Sequence, residues 1–380
     1  MKTFLVCGGG TGGHLYPALA TLEGLRRAEP DSRLVYVGSR YGLETQVLPR
    51  YPWIEFYQLP IRGITRPGQR PLWAFWALLA LAQLPVALVH ALCIVLRVRP
   101  IAIIGFGGYG AFAPLLWGTL LRIPIFLHEQ NLIPGLVTRL FAPWARKVFL
   151  TYPQTARYLR AQSVVVTGLP IRLEILSARP DPQRFGLLPG RKTVLVFGGS
   201  RGSRVLTNIA LTMLDFLPEV QFLIVTGDQA FAQSARKGPR ATCLLVPYIH
   251  EMGTALATAD VVICRGGAAT LAELAAIGKP AIVIPWPGAA NDHQTANATS
   301  YAHLGIFSIV PEAELTPQRL VEEIQKALTL KPSTLQRGRG ESTLNSLVCE
   351  VLCDATKEHN TAPFPWNRRR WYEWAGQSLF

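Results

Sequence analysis

The sequence predicts an α/β chain built from two doubly wound parallel sheets, and three observations carry that expectation. Short apolar runs of strand length end repeatedly in glycine or proline, with helical stretches between them. The runs are continuously apolar rather than alternating, as suits parallel strands covered on both faces. A strand running into a glycine-rich turn and then a helix occurs at Phe4–His14 and again at Val194–Ser203, so one such unit opens each half. The length of 380 residues agrees, since a domain takes roughly 100–200. Two such domains are expected to face each other across a cleft.

In the first half the expected strands are Thr3–Cys7, Arg33–Val37, Ile101–Gly105, Ile123–Leu127 and Lys147–Leu150. In the second they are Thr193–Phe197, Phe222–Thr226, Val261–Cys264 and Ala281–Ile284. Between these strands, Pro71 to Leu96 holds no Asp, Glu, Lys or Arg and exceeds the roughly 20 residues that cross a bilayer. Pro85 interrupts it, however, and strands that should share one sheet lie on both sides of it. The segment is therefore read as two apolar helices, the first bearing Trp73, Phe75 and Trp76 and lying at a membrane interface; plain core helices are the alternative. The domain boundary is expected near Gly168–Arg172, followed by a Pro-, Arg- and Gly-rich linker at Ser177–Gly190.

Composition narrows the class. Hydrophobic residues make up 49% and charged ones 16%, which excludes wholesale disorder. The net charge of +14 favours polyanions: nucleic acid, an anionic leaflet or a phosphorylated substrate. Six cysteines show no metal-ligand spacing and are expected to be reduced core residues. The N-terminus reaches glycine too soon for a secretory signal, so a cytoplasmic protein is expected.

The residues that carry chemistry cluster after strands. Gly8-Gly9-Gly10-Thr11-Gly12-Gly13-His14 suits close approach of an anion, lacks the dinucleotide and Walker patterns, and ends on a side chain that exchanges protons near neutral pH. Gly105–Gly110, with Tyr109, and His128-Glu129-Gln130-Asn131 follow two further strands, and Glu129 and Asn131 suit a hydroxylated acceptor. The alternative for His128 and Glu129 is a satisfied polar pair holding a loop. In the second half, Gly198–Ser203 with Ser200, and Arg172 besides, suit a diphosphate. Arg265-Gly266-Gly267 leads into a helix carrying Glu273, able to accept from the two hydroxyls of a ribose, and Asn291-Asp292-His293-Gln294 suits sugar hydroxyls.

In this order, with Gly168-x-Pro170-x-Arg172 and Asp292-His293-Gln294-x-x-Asn297-Ala298, the motifs resemble the MurG family, peripheral membrane N-acetylglucosaminyltransferases among the family 28 glycosyltransferases. The resemblance runs from about residue 3 to about 310. It implies a GT-B fold with an acceptor- and membrane-binding domain at 1–170 and a UDP-sugar-binding domain at 171–345. A helix returning to the first domain and a basic, aromatic tail would occupy 346–380.

The implied reaction is inverting transfer of N-acetylglucosamine from UDP-N-acetylglucosamine to undecaprenyl-diphospho-muramoyl-pentapeptide, lipid I becoming lipid II. His14 is the first choice of general base and Glu129 the second; both, with Tyr109, would line the acceptor side. The donor would meet Thr11, Gly12, Gly13, Asn131, Arg172, Ser200, Ile249 (through its backbone to uracil), Arg265, Glu273 and Gln294. No metal, no cofactor and no nucleic acid are implied; the anionic inner leaflet and proteins of cell-wall synthesis are the implied partners. Leu169, Arg201, Ser203 and Gly266 depart from the family's usual residues. Other readings are another glycolipid glycosyltransferase, an isomerase resembling the UDP-sugar 2-epimerases, and a membrane-bound sugar-nucleotide sensor.

Membrane contact is expected through Trp73, Phe75, Trp76 and Leu79, with Arg62, Arg66 and Arg70 ahead of them.

Overall fold

The computed structural model describes residues 1–63, 73–200, 202–235, 243–330 and 339–359. Arg66, Arg70, Arg201 and the tail beyond 360 lie outside the described residues, as do the side chains of Trp73 and Trp76. The chain forms two compact units, one of Met1–Pro170 with Thr343–Phe380 and one of Ile171–Ser342.

The first unit holds a seven-stranded sheet of β1 (Thr3–Cys7), β2 (Arg33–Ser39), β3 (Glu55–Leu59), β4 (Ala102–Gly105), β5 (Ile125–Glu129), β6 (Lys147–Leu150) and β7 (Val164–Val166), in the order β3-β2-β1-β4-β5-β6-β7. All its pairings are parallel. The strands read as continuous apolar runs because both faces are covered. Leu5, Val35, Ile103, Leu127 and Val148 point to one core, shared with Ala87, Ala91 and Val95 of helix Trp73–Val98. Phe4, Val6, Tyr36, Ile104 and Phe126 point to the other, shared with Leu15, Leu19 and Leu22 of helix Gly12–Ala28. Leu347, Val348, Val351 and Ala355 of helix Arg339–His359 join that second core. Lys147 pins this helix, its ammonium 2.8 Å from Asp354 and also paired with Glu350.

The apolar segment departs from expectation, being one helix, Trp73–Val98, rather than two. Pro85 removes one helical hydrogen bond, to the carbonyl of Leu81 four residues back, and both residues lie on the exposed side. That loss leaves intact the face seated on the sheet, where Trp117 Nε1 also donates to the Leu88 carbonyl at 2.8 Å.

The second unit holds β8 (Thr193–Phe197), β9 (Gln221–Val225), β10 (Cys243–Val246), β11 (Val261–Cys264), β12 (Ala281–Val283) and β13 (Phe307–Ile309), ordered β10-β9-β8-β11-β12-β13 and again parallel. Val194, Val196, Phe222, Ile224 and Ile263 build its core with Leu206, Ala210, Leu320 and Ile324 of two helices. In each sheet the strand order reverses once, between β1 and β4 and between β8 and β11. Open α/β sheets bind ligands outside the carboxyl ends of strands at such a reversal.

The cysteines are all free thiols but not all core residues: Cys7 and Cys264 are buried, whereas Cys349 and Cys353 are exposed. Burial pushes the Cys7 thiol up and that of Cys264 to about 12, against the opposing Arg265 charge, so both stay protonated.

Candidate active site

The first unit's candidates gather where the sheet reverses. The loops after β1 and β4 meet backbone to backbone: a Cβ on Gly108 would lie 2.4 Å from the Gly9 carbonyl oxygen, and one on Gly110 2.5 Å from that of Gly8. Gly10 and Gly108 also hold positive φ, at 94° and 73°, so glycine is required there on two counts. The Tyr109 ring covers Gly10, where a Cβ would come within 2.5 Å. Thr11 precedes helix Gly12–Ala28 in extended conformation, and its side chain does not cap it.

His14, half-buried, stands beside Gly107 and Gly108. Its Nδ1 lies 3.0 Å from Gln130 Oε1, which comes from beyond β5. The Gln130 Nε2 donates to the His128 carbonyl at 2.9 Å and lies 3.2 Å from His128 Nδ1. His128 Nε2 is 3.0 Å from the Gly168 carbonyl oxygen. His128 is fully buried and stacks on Phe106, with ring centroids 5.4 Å apart. Burial lowers its pKa to about 4, outweighing the upward pull of the Gly168 carbonyl, so the ring is neutral at pH 7.

Glu129 is committed to its own loop. One carboxylate oxygen accepts from the Asn131 amide N–H at 3.0 Å and its side-chain Nδ2 at 3.2 Å, and the other accepts from Gly135 N–H at 3.0 Å. With 2% exposure it shapes the 131–135 turn, the bland reading allowed above. A residue the sequence did not single out does the same for the first glycine loop. Glu44, fully buried, accepts from Gly10 N–H at 3.1 Å and from Ser39 N–H at 2.7 Å.

In the second unit, loops after β8, β11 and β12 are tied by Arg265. Its guanidinium donates to Ser203 Oγ at 2.9 Å and to the Ile284 carbonyl at 3.2 Å, and pairs with Glu312. Arg265 is thus a brace, and Ser203 also accepts from Leu206 N–H as the cap of helix Arg204–Met213. Ser200 sits half-buried on the preceding turn. Arg172 is buried between two carboxylates, donating to Glu273 at 3.0 Å and also to Glu174. Burial raises the Glu273 carboxyl, and the Arg172 guanidinium opposes that rise.

The Asn291–Gln294 turn is strained, with Asn291 and Asp292 at φ of 53° and 50°, and such outliers concentrate where a ligand is clamped. Gln294 accepts from Trp286 N–H at 2.9 Å, while a Cβ on Gly266 would meet its carbonyl oxygen at 2.5 Å. Ile249 is buried beyond β10, flanked by the Tyr248 and His250 rings, whose centroids are 4.8 Å apart. Among the described residues no group of His, Cys, Asp and Glu is arranged to hold a metal ion.

Comparison with known proteins supplies the family. The glycosyltransferase family 28 N-terminal domain matches residues 4–150 and the family 28 C-terminal domain residues 193–348. A protein of Desulforudis audaxviator is 37% identical, with 84% of this chain and 88% of its own covered, and one of Anaeromyxobacter sp. is 34% identical with 98% and 96% covered. Both are named UDP-N-acetylglucosamine–N-acetylmuramyl-(pentapeptide) pyrophosphoryl-undecaprenol N-acetylglucosamine transferase. The crystal structure of Acinetobacter baumannii MurG superposes with a TM-score of 0.65 at 27% identity, covering 94% of this chain and all of that one. SnogD of Streptomyces nogalater, at 16% identity and a TM-score of 0.63, shares the fold. With two parallel-sheet units of the GT-B class and relatives of this similarity along most of its length, the chain belongs to glycosyltransferase family 28, in the group of the MurG enzymes.

Proposed function

We propose that the chain transfers N-acetylglucosamine from UDP-N-acetylglucosamine to the muramoyl sugar of an undecaprenyl-diphosphate-linked pentapeptide, with inversion at the anomeric carbon. The observation that carries this is the match along nearly the whole chain to relatives named for that transfer. The acceptor hydroxyl attacks the anomeric carbon, its proton passes to His14, and the bond from that carbon to the UDP oxygen breaks. A base placed this way contributes roughly 10²–10⁴-fold. His14 rather than Glu129 suits the part, because both Glu129 oxygens already accept from the 131–135 loop.

Leaving-group charge falls to the second unit: the Ser200 hydroxyl, the loop amides ahead of helix Arg204–Met213, and Arg172. Arg172 reaches a diphosphate by releasing Glu174, 43% exposed, rather than the buried Glu273. Glu273 then keeps an oxygen for the ribose hydroxyls. Incubating the purified protein with radiolabelled UDP-N-acetylglucosamine and a lipid I analogue tests the reaction, since label that stays in the nucleotide pool overturns it.

A peripheral place on the cytoplasmic membrane face belongs to the same reading. Helix Trp73–Val98 exposes Phe75, Leu78, Leu81, Val86 and Val89 while Ala87, Ala91 and Val95 are buried in the sheet's core. Leu78–Val98 is long and apolar enough to cross a bilayer, yet a helix whose inner side belongs to a sheet's core suits lying on the lipid. Leu136, Leu140 and Trp144 form a second exposed apolar row, at 81%, 44% and 56%. Arg62, by contrast, is held over the Tyr41 ring at 3.8 Å.

A further inference from the structure

We propose that Gln130 and His128 are positioning residues that fix the tautomer of His14, so that its Nδ1 carries the proton and its Nε2 presents the lone pair. The proposal rests on the reading of His14 as the base, and it follows from two carbonyl groups that can only accept. At one end, the Gly168 carbonyl faces His128 Nε2 at 3.0 Å, so that nitrogen bears hydrogen. A fully buried, neutral imidazole has one N–H, which leaves His128 Nδ1 as an acceptor.

The second carbonyl is that of His128 itself, 2.9 Å from one end of the Gln130 amide. That end must be the NH₂, and its other hydrogen meets His128 Nδ1 at 3.2 Å. The oxygen of the amide is thereby turned to His14, 3.0 Å from Nδ1. An amide oxygen accepts and cannot donate, so Nδ1 of neutral His14 donates to it. Every bond in the chain Gly168, His128, Gln130, His14 then runs in one direction, and no member can flip without leaving a buried donor facing a donor or an acceptor facing an acceptor. The depressed pKa of His128 supports the arrangement, because a protonated ring would point a second N–H at the Gln130 NH₂. Unconstrained imidazole favours hydrogen on Nε2, which would present no lone pair there, and the chain of bonds holds the less favoured form.

Nitrogen-15 multiple-bond correlation spectra of the full chain at neutral pH test this, with His14 signals identified by their loss in His14→Gln. In the natural sequence His14 is expected to show a pyrrole-type Nδ1 and a pyridine-type Nε2. Gln130→Leu, which keeps bulk but removes both amide ends, is expected to move His14 toward Nε2–H and to lower kcat by roughly 10- to 100-fold with little change in the donor KM. An Nε2–H tautomer in the natural sequence overturns the proposal without any variant having to fold. So does an unchanged tautomer in Gln130→Leu, or a changed tautomer with kcat intact. The spectrum reads the relay even if His14 is not the base, whereas turnover of His14→Ala reads the base even if the relay is absent.

Discussion

The two units share one architecture and differ in the chemistry at the point where strand order reverses. In the first, the glycine loops after β1 and β4 surround a neutral chain of imidazole and amide groups, ending on a half-buried His14. In the second, guanidinium and carboxylate take that place: Arg265, after β11, pairs with Glu312, and Arg172, ahead of β8, pairs with Glu273. On the proposed reading, a neutral relay holds one lone pair in place without putting a further charge beside it. In the same reading Arg172 faces a diphosphate, and a buried ion pair suits that part, since one carboxylate can be exchanged for another anion. So read, one scaffold hosts proton handling in one half and anion handling in the other.

The largest test of this contrast is His14→Ala, expected to lower turnover by roughly 10²–10⁴-fold while UDP affinity stays unchanged. If it leaves turnover intact and Glu129→Gln abolishes it, the base lies in the loop-holding carboxylate and the comparison fails. Next comes acid stability. His128 is neutral in the fold down to about pH 4 and takes up a proton near 6.5 when unfolded, so the unfolded state binds more protons between those values. Its contribution, on the order of 3 kcal/mol, is present above pH 6.5 and lost as pH falls through 4. Denaturant unfolding at several pH values should show a shallower acid slope in His128→Asn than in the natural chain; equal slopes would refute a buried neutral ring.

In the second unit, Glu273→Gln should weaken UDP binding measured by calorimetry by about 1–3 kcal/mol, the loss of a buried hydrogen bond to a charged group. Unchanged affinity would reduce Glu273 to a holder of Arg172. The smallest effects are expected at the membrane, where Leu78→Ser and Val86→Ser should each cost about 1–2 kcal/mol of vesicle affinity with turnover on a soluble acceptor analogue unaffected. Flotation that is insensitive to both would place the lipid contact elsewhere, and resistance to carbonate extraction would mean that the helix spans the bilayer.

The chain by itself determined the fold class, the inner strands and the glycine loops that carry the candidate site. All nine expected strands are present within a residue or two of their predicted ends. The strands that escaped notice are β3, β7, β10 and β13, and they are the four sheet edges. An edge strand has a neighbour on one side only and keeps more of itself in water, so its residues need not be continuously apolar. Glu55–Leu59 and Val164–Val166 accordingly leave several residues exposed where β1 leaves none. The glycine loops were legible because close backbone approach at positive φ selects one residue type.

Only tertiary structure decided which polar residues serve each other. Gln130 stands 116 positions from His14 and Arg172 101 from Glu273, and no local pattern marks either pair. Glu44 is one carboxylate among many until the fold buries it beneath the first glycine loop. Arg265 likewise stands in the sequence only as a residue that would meet the donor, and its bracing contacts with loops from three strand ends come from the fold. Hydrophobic periodicity is a property of neighbours along the chain and survives in the sequence. The direction of a hydrogen bond between distant groups is set only when packing removes the water that would otherwise satisfy both.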